Sequence, residues 1–116
     1  MEDLSFTDYI TDNAYNELEL PVFLVKDENE AKSFYVNNRS KLIEIFIKNI
    51  KLALEDDLLV VPVFKLLFAY QGAKYITVTL KRDSFDATLQ ECLNYFHETE
   101  QYERCSEIIK LLNNEG

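Results

Sequence analysis

The strongest pattern in the chain is a wide apolar stripe at helical spacing, formed by Leu42, Ile43, Phe46, Ile47, Ile50 and Leu54. Lys41, Glu44, Lys48 and Lys51 lie towards the other side, which predicts an amphipathic helix over about 41–55. Ser40 is a suitable N-cap for it. Glu55, Asp56 and Asp57 follow, and acids are disfavoured at the negative end of the helix dipole, so the helix should stop there. Upstream, Asp27–Glu30 offers a helix start leading to Ala31, Phe34 and Tyr35. The run Asn37-Asn38-Arg39-Ser40 reads either as a break or as a solvent-facing turn of one longer helix. Near the start, Ser5 and Asp8 have capping-box spacing, and Phe6, Ile10, Ala14 and Leu18 recur every four residues. They predict a helix over about 6–18, ended by Pro21, and then a short apolar strand over 21–25.

The period changes from 3.6 to 2 in the middle of the chain. From Tyr75 to Arg82, Ile76, Val78 and Leu80 alternate with Tyr75, Thr77 and Thr79. With the β-branched and aromatic run before it and Gly72 in the gap, this predicts an antiparallel hairpin pairing about 61–70 with 75–82. Strict alternation puts Phe64, Leu66, Phe68 and Tyr70 on one face of the first strand. Val61, Val63, Leu67 and Ala69 fall on the other, with Lys65 the only charge among them. A strand apolar on both faces needs cover on both. Helices of the same chain supply both layers, or one face meets a second subunit or another protein. A two-stranded hairpin is unstable without such packing.

Helical spacing then returns in two segments. Phe85, Leu89, Cys92, Leu93 and Phe96 share one face, and Tyr102, Cys105, Ile108, Ile109 and Leu112 share a matching one. The polar run His97–Gln101 separates them, so a helical hairpin over about 84–97 and 101–112 is expected. The fold class is therefore α+β. One small domain over 1–116 contains an antiparallel β-hairpin packed by amphipathic helices and ends in a C-terminal helical hairpin. Phe46, Ile50, Phe64, Phe68, Val78, Leu89 and Phe96 are its expected core.

Composition narrows the function more than the fold. A chain of 116 residues that is 47% hydrophobic and 28% charged, with two glycines and two prolines, is that of an ordinary globular domain. The opening MEDLSFTDY has neither the basic start nor the apolar run of an export signal. With two cysteines, this points to a reducing, cytoplasmic setting. The longest apolar stretch, 58–68, is broken by Pro62 and Lys65 and is too short to cross a membrane. The net charge of −9 is unevenly spread: residues 1–30 carry nine acids and one base, 31–82 nine bases and four acids, and 83–116 eight acids and two bases. Such a chain is repelled by nucleic acid at long range, so direct nucleic-acid binding is not expected.

Cys92, His97 and Cys105 are the residues that suggest chemistry. Zinc takes four ligands in a structural site, and His97 lies at the edge of the stripe that carries the cysteines. Buried cysteines acting as small hydrophobes account for the pattern better than a metal site or a redox pair. A nucleophilic thiol needs an electropositive setting, whereas Glu98, Glu100 and Glu103 surround this one. With one histidine and no glycine-rich phosphate loop, neither enzymatic activity nor a cofactor is expected. Asp56 and Asp57 read as solvated charges.

The stretch ETEQYERCSEIIKLL, 98–112, resembles the UVR motif, a helical hairpin through which bacterial excision-nuclease subunits make contacts. The resemblance is carried by the acidic turn, Tyr102-Glu103, the small pair Cys105-Ser106, and apolar Ile108 and Leu112. Ile109 and Lys110 stand where that motif commonly has a basic–acidic pair. It implies a protein-contacting hairpin. In size, charge and scarcity of glycine and proline, the whole chain also resembles small accessory proteins encoded by phages.

The expected function is a non-enzymatic protein-interaction module: a small acidic adaptor, assembly component or regulator. Its partner is another protein, a second copy of itself included. The candidate contact residues are Asp3, Asp8, Asp12, Glu19, Tyr95, Glu98 and Glu100. The alternative is an acidic inhibitor that mimics nucleic acid and blocks a basic cleft of an enzyme. A continuous acidic ridge would mark the mimic, and an exposed apolar patch the adaptor. Elemental analysis beside a thiol titration under denaturing conditions is expected to find two free thiols and no zinc. One zinc per chain would turn the C-terminal hairpin from packing into chemistry.

Overall fold

The computed structural model describes residues 10–11, 20–70 and 72–115. Among them the order is β1 (Ile10–Thr11), β2 (Val22–Val25), α1 (Glu28–Lys32), α2 (Phe34–Asn37), α3 (Arg39–Glu55), β3 (Val60–Phe68) and β4 (Lys74–Lys81). A 3-10 turn over Arg82–Ser84 leads into α4 (Phe85–Glu98) and α5 (Tyr102–Glu115). The strands form a sheet in the order β1-β4-β3-β2. β3 and β4 are the expected antiparallel hairpin, and β2 is the expected short strand, running parallel to β3. The fold is the α+β arrangement read from the sequence, with helices on the hairpin and a helical hairpin at the C-terminus.

The helix boundaries follow from local hydrogen bonds. The Asp27 carboxylate accepts from the Glu30 N–H, and the Glu30 carboxylate accepts from the Lys26 N–H, which closes the start of α1. The Ser33 hydroxyl donates to the Asn29 carbonyl, and the Asn38 amide donates to that of Phe34. These side chains compete with helical bonding, so the segment before α3 is broken at Ser33 and Asn38 rather than being one helix. The break also moves the start of α3: Ser40 lies inside it and Asn38 takes the cap position. At the other end the chain leaves through Asp57 at φ +56°, with the Leu58 N–H donating to the Ala53 carbonyl. α4 ends in the same way, with Glu100 at φ +60° and the Gln101 N–H donating to Phe96.

Two expectations change. The helix predicted over 6–18 does not hold at Ile10–Thr11, which are strand and pair with Val78 and Thr77. Edge pairing with β4 satisfies backbone groups there, and two β-branched residues suit it. The remainder of 6–18 lies outside the described residues. The second change is a bulge in β3. Pro62 pairs with Thr79 but Phe64 pairs with Val78, so Val63 is the extra residue. Val61 pairs with Leu80 and Leu66 with Ile76, which puts Val61, Phe64 and Leu66 on one face; Val63 is buried with them. Val61 and Val63 thus do not face away from Phe64, as strict alternation predicts. The strand has one core face, and the helices pack against it.

All but one of the seven expected core residues are fully buried; Phe68 is partly buried against the others. The C-terminal stripe is narrower than its spacing implies. Cys105 and Ile108 are buried, with Leu111 and Leu112 partly so, whereas Tyr102 and Ile109 are exposed. α5 packs mainly on α4, and a helix that rests mainly on one neighbour buries a thin seam. Phe64→Ala should cost roughly 3–5 kcal/mol in denaturant unfolding. A loss below about 1 kcal/mol would mean that the bulge does not deliver this ring to the core.

Candidate protein-interaction site

Two regions combine exposure with unusual chemistry. The first is where α4 crosses the start of α3. Glu91, Tyr95 and Glu98 recur at i, i+4 and i+7 on α4, so they share a face. Arg39, the first residue of α3, reaches across to them. It donates to Glu91 Oε2 at 3.2 Å and to Glu98 Oε1 at 3.0 Å, and its guanidinium lies 5.0 Å from the centre of the Tyr95 ring. The Tyr35 hydroxyl of α2 donates to Glu91 Oε2 at 2.9 Å. Glu91 is buried, whereas Glu98 is exposed.

This setting divides the charges. Burial works against ionisation of Glu91, yet hydrogen bonds and positive charge, those of Tyr35 and Arg39 among them, hold its carboxyl below the ordinary range. Burial pushes the Tyr35 hydroxyl up, and its bond to Glu91 pushes it further. A second arginine repeats the pattern between α3 and α5. Arg104 grips both Glu44 oxygens at 2.9 and 3.0 Å, and its Nε donates to Glu107 at 2.8 Å. Its guanidinium lies 4.6 Å from the Phe96 ring centre. Lys51 also pairs with Glu107, and that bond, with Arg104, keeps Glu107 below the usual carboxylate range against some burial.

The second region is the sheet face turned away from the helices. The register places Leu24 beside Leu67 and Leu67 beside Tyr75, one row across three strands. Leu24 is 52% exposed, Tyr75 64% and neighbouring Val22 51%, which gives a contiguous apolar patch. Lys65 lies over the Tyr75 ring at 5.8 Å. Beside the patch, a hollow of about 510 Å³ runs between β2 and α3, with Pro21, Phe23, Lys41, Glu44 and Ile45 in its wall.

Neither cysteine is placed for chemistry. Both are free thiols on the buried seam between α4 and α5, as expected, and burial pushes the Cys92 thiol up to about 12. His97 is exposed at the hairpin end, with its ring 5.8 Å from that of Tyr102. Among the described residues, no group of three or more His, Cys, Asp or Glu side chains could hold a metal ion. No helix among them is long and apolar enough to cross a membrane.

Of the contact residues expected from the sequence, Tyr95 and Glu98 come together around Arg39, and Glu100 stands exposed at the hairpin turn. Asp3, Asp8, Asp12 and Glu19 lie outside the described residues. Sequence reasoning missed Tyr35, Arg39 and Glu91. The spacing of 91, 95 and 98 was a visible signal, but Arg39 is more than fifty positions away and its role was not. No protein-family model matches the chain, and neither a curated protein nor a solved structure matches it.

Glu91→Ala should cost roughly 1–3 kcal/mol, because it leaves the Tyr35 hydroxyl and Arg39 without their buried acceptor. A carboxyl held low in the folded state stabilises the protein above the unfolded carboxylate range, and that stability is lost as pH falls through the depressed value. The advantage of wild type over Glu91→Gln in urea should thus be full at neutral pH and shrink below about pH 4.3. An advantage that does not change with pH would show that the charge of Glu91 contributes nothing.

Proposed function

We propose that this protein is a non-enzymatic protein-interaction module, an adaptor or assembly component that docks through the open sheet face. The observation that carries this reading is the apolar row Leu24–Leu67–Tyr75, exposed at Leu24 and Tyr75 and half-buried at Leu67, with exposed Val22 beside it. Exposed apolar side chains joined across three strands are costly to keep in water and are a mark of contact surfaces. The C-terminal hairpin supplies a second, acidic contact at its turn, where Glu98, Glu100 and Glu103 are exposed beside Tyr102. Its likeness to the UVR hairpin supports a contact role for that end.

The mimic of nucleic acid is less well supported. Glu44, Glu91, Glu98, Glu107 and Asp57 are each paired with an arginine or lysine. An acid already neutralised by its own chain cannot stand in for a phosphate. Pairing of these five acids among the described residues weighs against a continuous acidic ridge along α3, α4 and α5.

The test is affinity capture with partner identification, run beside Tyr75→Glu. Tyr75 is exposed, so the variant should fold, while placing a charge at the β4 end of the apolar row. A defined partner held by wild type and lost on Tyr75→Glu is the expected result. A partner retained in full by this variant would move the contact away from the sheet.

A further inference from the structure

We propose that the free edge of β2 pairs with the β2 of a second copy, joining two sheets about a two-fold axis at Phe23. This rests on the interaction-module reading and names one partner for it.

β2 ends the sheet, so one side of its backbone has no neighbouring strand among the described residues. The Lys65 N–H donates to the Pro21 carbonyl and the Ala69 N–H to that of Val25. In a parallel ladder alternate residues face the partner strand. Pro21, Phe23 and Val25 therefore turn towards β3, and Val22 and Leu24 turn their N–H and C=O groups outwards. The open edge is short and is closed at its C-terminal end, where the outward N–H of Lys26 is already taken by Glu30 at 2.8 Å.

Such an edge can pair with a copy of itself. An antiparallel copy centred on Phe23 sets Val22 opposite Leu24 and Leu24 opposite Val22. Each of these two pairs then exchanges both of its hydrogen bonds, and no open donor or acceptor of the two residues is left over. A register shifted by one residue sets these outward groups against inward ones of the other strand and forms neither pair.

Charge selects the second copy as occupant. A chain of net −9 repels another copy except where its surface is locally neutral. From Leu20 to Val25 there is no ionisable side chain. A two-fold contact also has to complement itself. The groove beside the edge meets that condition, with apolar Pro21, Phe23 and Ile45 and one side chain of each sign, Lys41 and Glu44. The strand carries neither a charge nor a proline within it to block pairing.

Sedimentation equilibrium of the full chain over a concentration series tests this. Wild type should be a reversible dimer. Leu24→Lys and Val22→Lys should each raise the dimer dissociation constant at least about tenfold. Leu59→Lys, at an exposed position outside the patch, should leave it unchanged. Both edge side chains are half exposed, and circular dichroism checks that the variants fold. Hydrogen exchange of wild type gives a readout without mutation: the Val22 and Leu24 amides should slow as concentration rises. A wild type that stays monomeric, or a dimer indifferent to both edge variants, overturns the proposal. A monomer that still captures a Tyr75-dependent partner overturns the dimer alone and leaves the module reading standing.

Discussion

The position of the Phe64 ring is the constraint on which the rest of this structure depends. Phe64 is fully buried, and three other phenylalanine rings converge on it: Phe23 of β2 at 5.5 Å, Phe34 of α2 at 5.8 Å and Phe46 of α3 at 6.5 Å. Phe23 also meets Phe34 edge to face at 5.3 Å. One side chain thus ties together the edge strand, the short helix and the long helix, each from a different part of the chain. Aromatic pairs of this kind add to their area burial through ring geometry. The bulge at Val63 makes this possible. It shifts the phase of β3 by one residue, so that Val61 and Val63 join Phe64 and Leu66 on the core face.

The same phase shift determines what is left outside. With its large residues drawn to one side, β3 presents Pro62, Lys65 and Leu67 on the other, and none of these is fully buried. On that face Thr77 and Thr79 are buried, whereas Tyr75 and Leu24 are exposed. The helical layer on the core face is built by α3 on β3, with α4 against α3 and α5 against α4. Arg39 and Arg104 then fasten the helices to one another by charge, each spanning two helices and lying over an aromatic ring. These pairs are partly exposed, so each contributes modestly to stability. Their larger effect is on the surface, where they neutralise acids that would otherwise repel a partner.

Much of this was legible in the sequence, and what was not has a definite physical cause. The stripe of α3, the alternation of β4 and the apolar faces of the C-terminal hairpin are local periodicities, and each element appears where its period indicates. The bulge was not legible, because Val60–Phe68 is apolar throughout and has no polar residue to mark the change of phase. The strand at Ile10–Thr11 was hidden by a four-residue recurrence that suits a helix equally well; pairing with β4 decides there. For the candidate site, the face of Glu91, Tyr95 and Glu98 could be read from spacing, but Arg39 is brought to it by the fold. The outward row Leu24–Leu67–Tyr75 depends on the register of three strands and the bulge together, so no single segment reveals it.

The parallel placement of β2 has a consequence for how the surface can be used. A strand that enters the sheet through a helical crossover is added at its edge, with nothing later in the chain to cover its far side. Here the chain spends α1, α2 and α3 on the crossover and then builds β3 and β4 away from β2. Among the described residues no strand lies beyond β2, and the groups of Val22 and Leu24 stand open there. A short open edge closed by the Glu30 cap on Lys26 resists indiscriminate strand addition, because few residues can pair. The edge and the apolar face meet at Leu24, whose backbone points along the sheet while its side chain stands on the face. Strand pairing and face docking are therefore geometrically compatible. A two-fold pairing at β2 would place two apolar faces side by side and double the surface available to a third protein.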